Sequence, residues 1–152
     1  MIDIAWLKKQ IFFQDLTDRE LELIAEKVTH VKYPLKTVIF SEGSPNRGFY
    51  FVHKGKVEIS KITSDGWRQT LAVYPENHFF GELSVIENKL RHSTDAITLA
   101  DSEILELTKE DFISFEAASY EMMYKIMKTI ARAASSNLHV MNEKLMKLLI
   151  SY

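Results

Sequence analysis

Residues 30–107 contain several strand-like runs and no intervening segment long enough to be a crossover helix. That pattern constrains the fold most, because parallel strands need a connection of a dozen or more residues, usually helical. The runs KTVIF, GFYFVHKG, KVEISKI, RQTLAVY, HSTDAITLA and SEILEL are short and rich in β-branched and aromatic residues. Turn formers separate them: Glu42-Gly43-Ser44-Pro45-Asn46, Lys54-Gly55, Ser64-Asp65-Gly66 and Tyr74-Pro75-Glu76-Asn77. Alternation is clearest at Val57, Ile59, Leu71 and Val73, and again at Ile104, Leu105 and Leu107. Many short strands with regular turns predict an antiparallel sandwich or barrel.

Helical patterns flank this segment. Ile4, Trp6, Leu7 and Ile11 predict a short helix or turn. Thr17-Asp18-Arg19-Glu20 is a capping box, in which Thr17 accepts from the amide three residues on and Glu20 reaches back. Leu21, Ile24, Ala25 and Val28 then share one face, which predicts a helix over residues 18–28. After the strands, Thr108 and Asp111 cap a short helix carrying Phe112 and Phe115. Residues 119–149 hold neither Gly nor Pro, which allows a helix of ~45 Å. Met127, Ile130, Ala134, Asn137, Met141 and Leu148 fall on alternating three- and four-residue steps, with Lys144 in the remaining seat. Such a heptad seam is too long for a small barrel to cover. A homodimer through residues 119–149 is therefore expected.

Composition removes several function classes. The 152 residues suit one domain, here read as 1–152, with N-terminal helices over 1–29, the strand segment over 30–107, and a short helix plus long helix over 108–152. Cysteine is absent, so disulfides, thiolate chemistry and Cys-ligated zinc are excluded. The net charge of −2 argues against direct DNA binding. No basic leader opens the chain and no apolar run approaches the ~18 residues of a membrane span, so a cytoplasmic protein is expected. His30, His53, His78, His92 and His139 form no metal-ligand spacing, and no G-x-S-x-G elbow occurs. Neither a metal site nor an enzyme is expected.

The stretch HFFGELSVIENKLRHSTDAIT, residues 78–98, concentrates the chemistry. Gly81-Glu82 opens what reads as the first turn of a short helix, where backbone amides attract anions and glycine permits close approach. A carboxylate beside a phosphate needs another task, and a sugar hydroxyl supplies one. Arg91, nine positions after Glu82, can pair with the phosphate through two parallel hydrogen bonds. A phosphate and a ribose hydroxyl so close together describe a nucleotide. A plain tight turn with a surface Glu82–Arg91 ion pair would give the same spacing.

Phe80-Gly81-Glu82-Leu83-Ser84-Val85, followed by Arg91, resembles the phosphate-binding cassette of cyclic nucleotide-binding domains. VIFSEGSPNRGFYFVHKGKVEIS is similar to the first hairpins of that family, with Gly43 and Gly55 at the two turn glycines. The order of segments agrees over nearly the whole chain. The resemblance implies a mainly β fold: a double-stranded β-helix (jelly-roll, cupin-like) barrel with N-terminal helices and a long C-terminal helix.

It also implies a sensor for a cyclic nucleotide, cAMP favoured over cGMP. Gly81 and the Glu82 and Leu83 amides would meet the phosphate, with Phe80 and Ser84 in the same ligand-binding stretch; the Glu82 carboxylate would hold the ribose 2′-hydroxyl, and Asn137 on the long helix would reach the base. Counting forwards from Gly81-Glu82 puts Arg91 at the phosphate, whereas counting backwards from AITLADSEILEL puts His92 there, with Ser93 next. Arg91 is the favoured assignment. Leu90 stands where the family usually has proline, and Asn46 where a small residue is usual. No DNA-binding segment follows the long helix within these residues, so either a sensor acting through an unidentified protein partner or a fragment of a larger protein is expected. The alternative is a ligand-free dimeric interaction module on the same fold.

Overall fold

The computed structural model describes residues 1–151; Tyr152, the last residue of the expected helical segment, lies outside them. Helix α1 (Ile4–Lys8), a 3-10 turn (Ile11–Phe13) and α2 (Asp18–Ala25) open the chain. Eight strands follow: β1 (Thr29–Tyr33), β2 (Val38–Phe40), β3 (Gly48–Lys54), β4 (Val57–Ile62), β5 (Arg68–Tyr74), β6 (Phe79–Phe80), β7 (Asp95–Thr98) and β8 (Ser102–Thr108). The short helix α3 (Glu82–Ile86) lies between β6 and β7, and α4 (Lys109–Ala118) and α5 (Tyr120–Ile150) close the described chain. The strands form two antiparallel four-stranded sheets, ordered β1-β8-β3-β6 and β2-β7-β4-β5. This is the expected mainly β roll with flanking helices.

The sheet containing β3 is packed on both faces. Phe49 and Phe51 join a core with Leu7, Phe12, Phe13, Ile24, Phe112, Met122 and Ile126 from the helices. Tyr50 and Val52, on the opposite face, join Phe40, Val57, Phe80, Ala96 and Ile104 between the sheets. A strand with no solvent face shows a continuous apolar run, which is why GFYFV does not alternate. The pair Phe79-Phe80 divides in the same way, Phe79 toward the helices and Phe80 into the roll. Strand pairing of Tyr50 with Phe80 and of Phe51 with Phe79 sets that division.

The local signals act as expected at the caps. Thr17 Oγ1 accepts from Glu20 N, while Glu20 Oε1 accepts from Thr17 N at 2.9 Å. Thr108 Oγ1 accepts from Asp111 N and starts α4. Ser119, in extended conformation, ends α4 and caps α5 by accepting from Met122 N.

Two expectations change. On β5, Leu71 and Val73 stand exposed while Tyr74 turns inward. Residues opposite each other in an antiparallel pair share a face: Tyr74 pairs with fully buried Val57, and Val73 pairs with Glu58. On α5, Ile130 from the heptad seam is 5 % exposed and belongs to this chain's own core. Met141 and Leu148 from the same seam remain exposed. Among the described residues no helix is long and apolar enough to cross a membrane.

Candidate functional site

Phe80 leads directly into Gly81, which holds φ +85° as the N-cap of α3. A Cβ at Gly81 would lie 3.0 Å from the Tyr50 ring and 3.1 Å from Gly48 O, so both conformation and space demand glycine. That turn delivers Glu82 inward, and its side chain is buried. A cavity of about 150 Å³ opens beside it, lined by Phe80, Gly81, Glu82, Leu83, Ser84, His92, Ser93 and Thr94, with Phe40, Ile59 and Tyr74. A second cavity of about 230 Å³ is lined by Ile11, Tyr74, His78, Phe79, Glu82, Ala133, Ser136 and Asn137. Tyr74 and Glu82 belong to both walls, and the second cavity lies against α5 at Ala133, Ser136 and Asn137.

Every expected site residue except Arg91 lines one of these cavities. The Arg91 guanidinium instead donates to Gly43 O at 2.7 Å, outside both. The reason lies in the backbone. Arg91 bridges Pro45, while His92 N donates to Ser44 O and Gly43 N donates to His92 O. Asn46 N and the Asn46 side chain tie down Leu90 O and Lys89 O. With the chain held in extended register, neighbouring side chains face opposite ways, so Arg91 is exposed and His92 is buried. The expected Arg91 thus faces outward to Gly43 O in this register, and His92 takes the inward position.

The His92 ring stacks on Phe40 with centroids 3.6 Å apart and planes 6° apart. Its Nε2 is buried without a hydrogen-bond partner. Burial lowers its pKa, favouring the neutral imidazole. Burial also pushes the Glu82 carboxyl up to about 7, opposed by a hydrogen bond from its own backbone amide. Among the described residues, no Lys or Arg lines either cavity. Arg68 is occupied by Ser60 Oγ at 2.8 Å and by Asp95 at 2.9 Å. No cluster of three or more potential metal ligands occurs among the described residues.

Phe40 and Tyr74 escaped sequence reasoning as site residues, and Asn46 was singled out only as a departure from the family pattern. Tyr74 was legible in principle, since it alternates with Val73 across the β4–β5 pairing, but nothing local says which set of β5 faces inward.

The sequence profile described as "Cyclic nucleotide-binding domain" matches residues 30–119. The chain is 32% identical over 129 residues to the "Anaerobic regulatory protein" of Bacillus subtilis (strain 168), covering 82% of this chain and 54% of that one. It is 30% identical over 108 residues to the "Cyclic AMP receptor protein" of Thermus thermophilus, covering 71% and 50%. The chain thus spans about half the length of these curated relatives. The crystal structure of Thermus thermophilus catabolite activator protein superimposes with a TM-score of 0.76 at 24% identity, over 91% of this chain and 63% of that one. At that identity the likeness concerns the fold.

Proposed function

This chain belongs to the cyclic nucleotide-binding domain family, and on that premise we propose that it is a regulatory sensor for a cyclic nucleoside monophosphate that signals through α5. One observation carries the reading: Glu82 and Tyr74 line both cavities. A ligand with its phosphate in the first and its base in the second would set its ribose against the Glu82 carboxyl. Neither cavity alone reaches the ~300 Å³ where small-molecule sites begin, and together they pass it.

In this reading the hydroxyls of Ser84, Ser93 and Thr94 and the backbone at Gly81 and Leu83 surround the phosphate, and Phe80 supplies the apolar floor. Asn137 reaches the base edge. The match to a relative named for cyclic AMP favours cAMP over cGMP. Arg91 serves the site indirectly, by fastening the residue 43–46 loop through Gly43 O. Ligand lying between Glu82 and Asn137 would favour one placement of α5, a population shift whose readout is the dimer geometry or the face shown to a protein partner.

The homodimer through residues 119–149 belongs to this proposal, supported by exposed Leu138, Met141, Leu145 and Leu148. These residues would work in the cytoplasm, without catalysis and without touching DNA directly. The lack of any Lys or Arg in the lining favours one second reading, a ligand-free dimeric interaction module.

Calorimetric titration with cAMP and then cGMP, at about pH 6, decides between them. The expected result is micromolar or tighter cAMP binding, lost in Glu82→Ala and retained in Arg91→Ala. Amide exchange over residues 119–149 should slow on saturation. No heat with either nucleotide, in protein shown to be folded, would leave the ligand-free module standing.

A further inference from the structure

We propose that His92 is the residue that contacts the ligand's phosphate, and that it does so as the imidazolium, so that ligand binding takes up a proton. The inference rests on the cyclic-nucleotide reading of the same site.

The geometry supplies three supports. His92 lines the cavity and is 4 % exposed, and its Nε2 is buried with no hydrogen-bond partner. A buried polar nitrogen without a partner is costly, and a ligand oxygen would satisfy it. Secondly, the ring cannot readily turn away. It is stacked on Phe40, and the backbone on both sides is bonded to residues 43–46. Thirdly, no permanent cation shares the cavity: Arg91 is turned to Gly43 O, and Arg68 is held by Ser60 and Asp95. A phosphodiester keeps its negative charge throughout the neutral range. Only protonation of His92 can place a positive charge against it from this chain's own lining.

The groups that face His92 bear on the sign. Glu82 from α3 and Tyr74 from β5 line the same cavity, and the Tyr50 ring of β3 lies 6.4 Å away. The two tyrosines hold their protons, since burial raises both pKa values. Phe40 of β2 is neutral, and Asp95, three residues along the chain, is paired with Arg68. Glu82 is therefore the one facing group that also changes charge near neutrality. Acidification removes its negative charge and adds a positive one at His92, and both changes favour an anion. Separate substitutions distinguish the two.

The test is calorimetric titration with cAMP at about pH 6 and pH 8. The wild type should bind more weakly at pH 8 than at pH 6, by up to about tenfold per pH unit. His92→Arg should keep only the smaller slope that Glu82 contributes, and Glu82→Gln should keep the larger part that His92 contributes. Equal wild-type affinity at both pH values overturns the inference and leaves the cyclic-nucleotide reading intact. An undiminished slope in His92→Arg, or the loss of all slope in Glu82→Gln, assigns the proton to Glu82 and equally overturns it. Binding by His92→Arg alone means that the pocket is shaped for the nucleotide but His92 does not serve it. No binding by either protein at either pH overturns both readings. A measurement on the wild type alone avoids any folding defect of the variants: the imidazole resonances of His92 should move toward the protonated form when cAMP is added at pH 7. Unmoved resonances with ligand bound would overturn the proposal.

Discussion

Residues 120–130 and residues 131–150 belong to one continuous helix, yet they live in different environments. The first part buries Met122, Met123, Ile126, Thr129 and Ile130 against the roll and α2, and Lys125 reaches Glu20 at 2.7 Å. In the second part every residue except half-buried Ala133 is exposed, including Leu138, Met141, Leu145, Leu148 and Leu149. Helical periodicity is similar in both, so periodicity alone does not reveal what covers a helix face. The packed part is stabilised by this chain. The exposed part relies on good helix formers and, in the proposal above, on a second copy, since ~20 isolated helical residues are marginal in water. The cavity beside Glu82 lies where the two parts meet, under Ala133, Ser136 and Asn137. A ligand there extends the packed region into the exposed one.

Three measurements sharpen or break this contrast. Ile126→Ala should destabilise the protein by about 2–4 kcal/mol, read as a lower urea midpoint, because a fully buried side chain leaves a cavity. A loss below about 1 kcal/mol would remove the distinction between the two parts.

At the junction, Glu82 holds its proton up to about pH 7 in the folded chain and releases it nearer 4.5 when unfolded. The folded state binds the extra proton, so stability declines as pH rises through that window. Glu82→Gln, always neutral, should therefore raise the stability of the unliganded protein at pH 8 by up to ~3 kcal/mol and change it little at pH 4. Equal effects at both pH values would show that the carboxyl is not held in its neutral form.

The smallest effect on folding belongs to the exposed part. Leu145→Ser combined with Leu148→Ser should shift the stability of dilute protein by no more than ~0.5 kcal/mol per site while weakening self-association in sedimentation equilibrium. A dimer unaffected by both changes would place its interface elsewhere.

Much of the frame was readable from single residues. Turn residues spaced the strands, Thr17 and Glu20 started α2, and Thr108 started α4, because these contacts are made within four residues. Gly81 was legible as a special position, since a left-handed turn excludes most side chains. Leu71 and Val73 were not legible as surface residues, because their face depends on a partner strand distant in the chain. Tyr74 and Phe40 were missed as site residues for the same reason.

By itself the sequence determined an antiparallel sandwich or barrel, its flanking helices and the Gly81-Glu82 turn, all written in local steric and hydrogen-bonding preferences, while the roll came from the family resemblance. Only the tertiary structure decided that His92 looks into the cavity while Arg91 looks out. A shift of one residue reverses the face of an extended segment, and that register is held by bonds to residues 43–46 rather than by anything next to it in the chain.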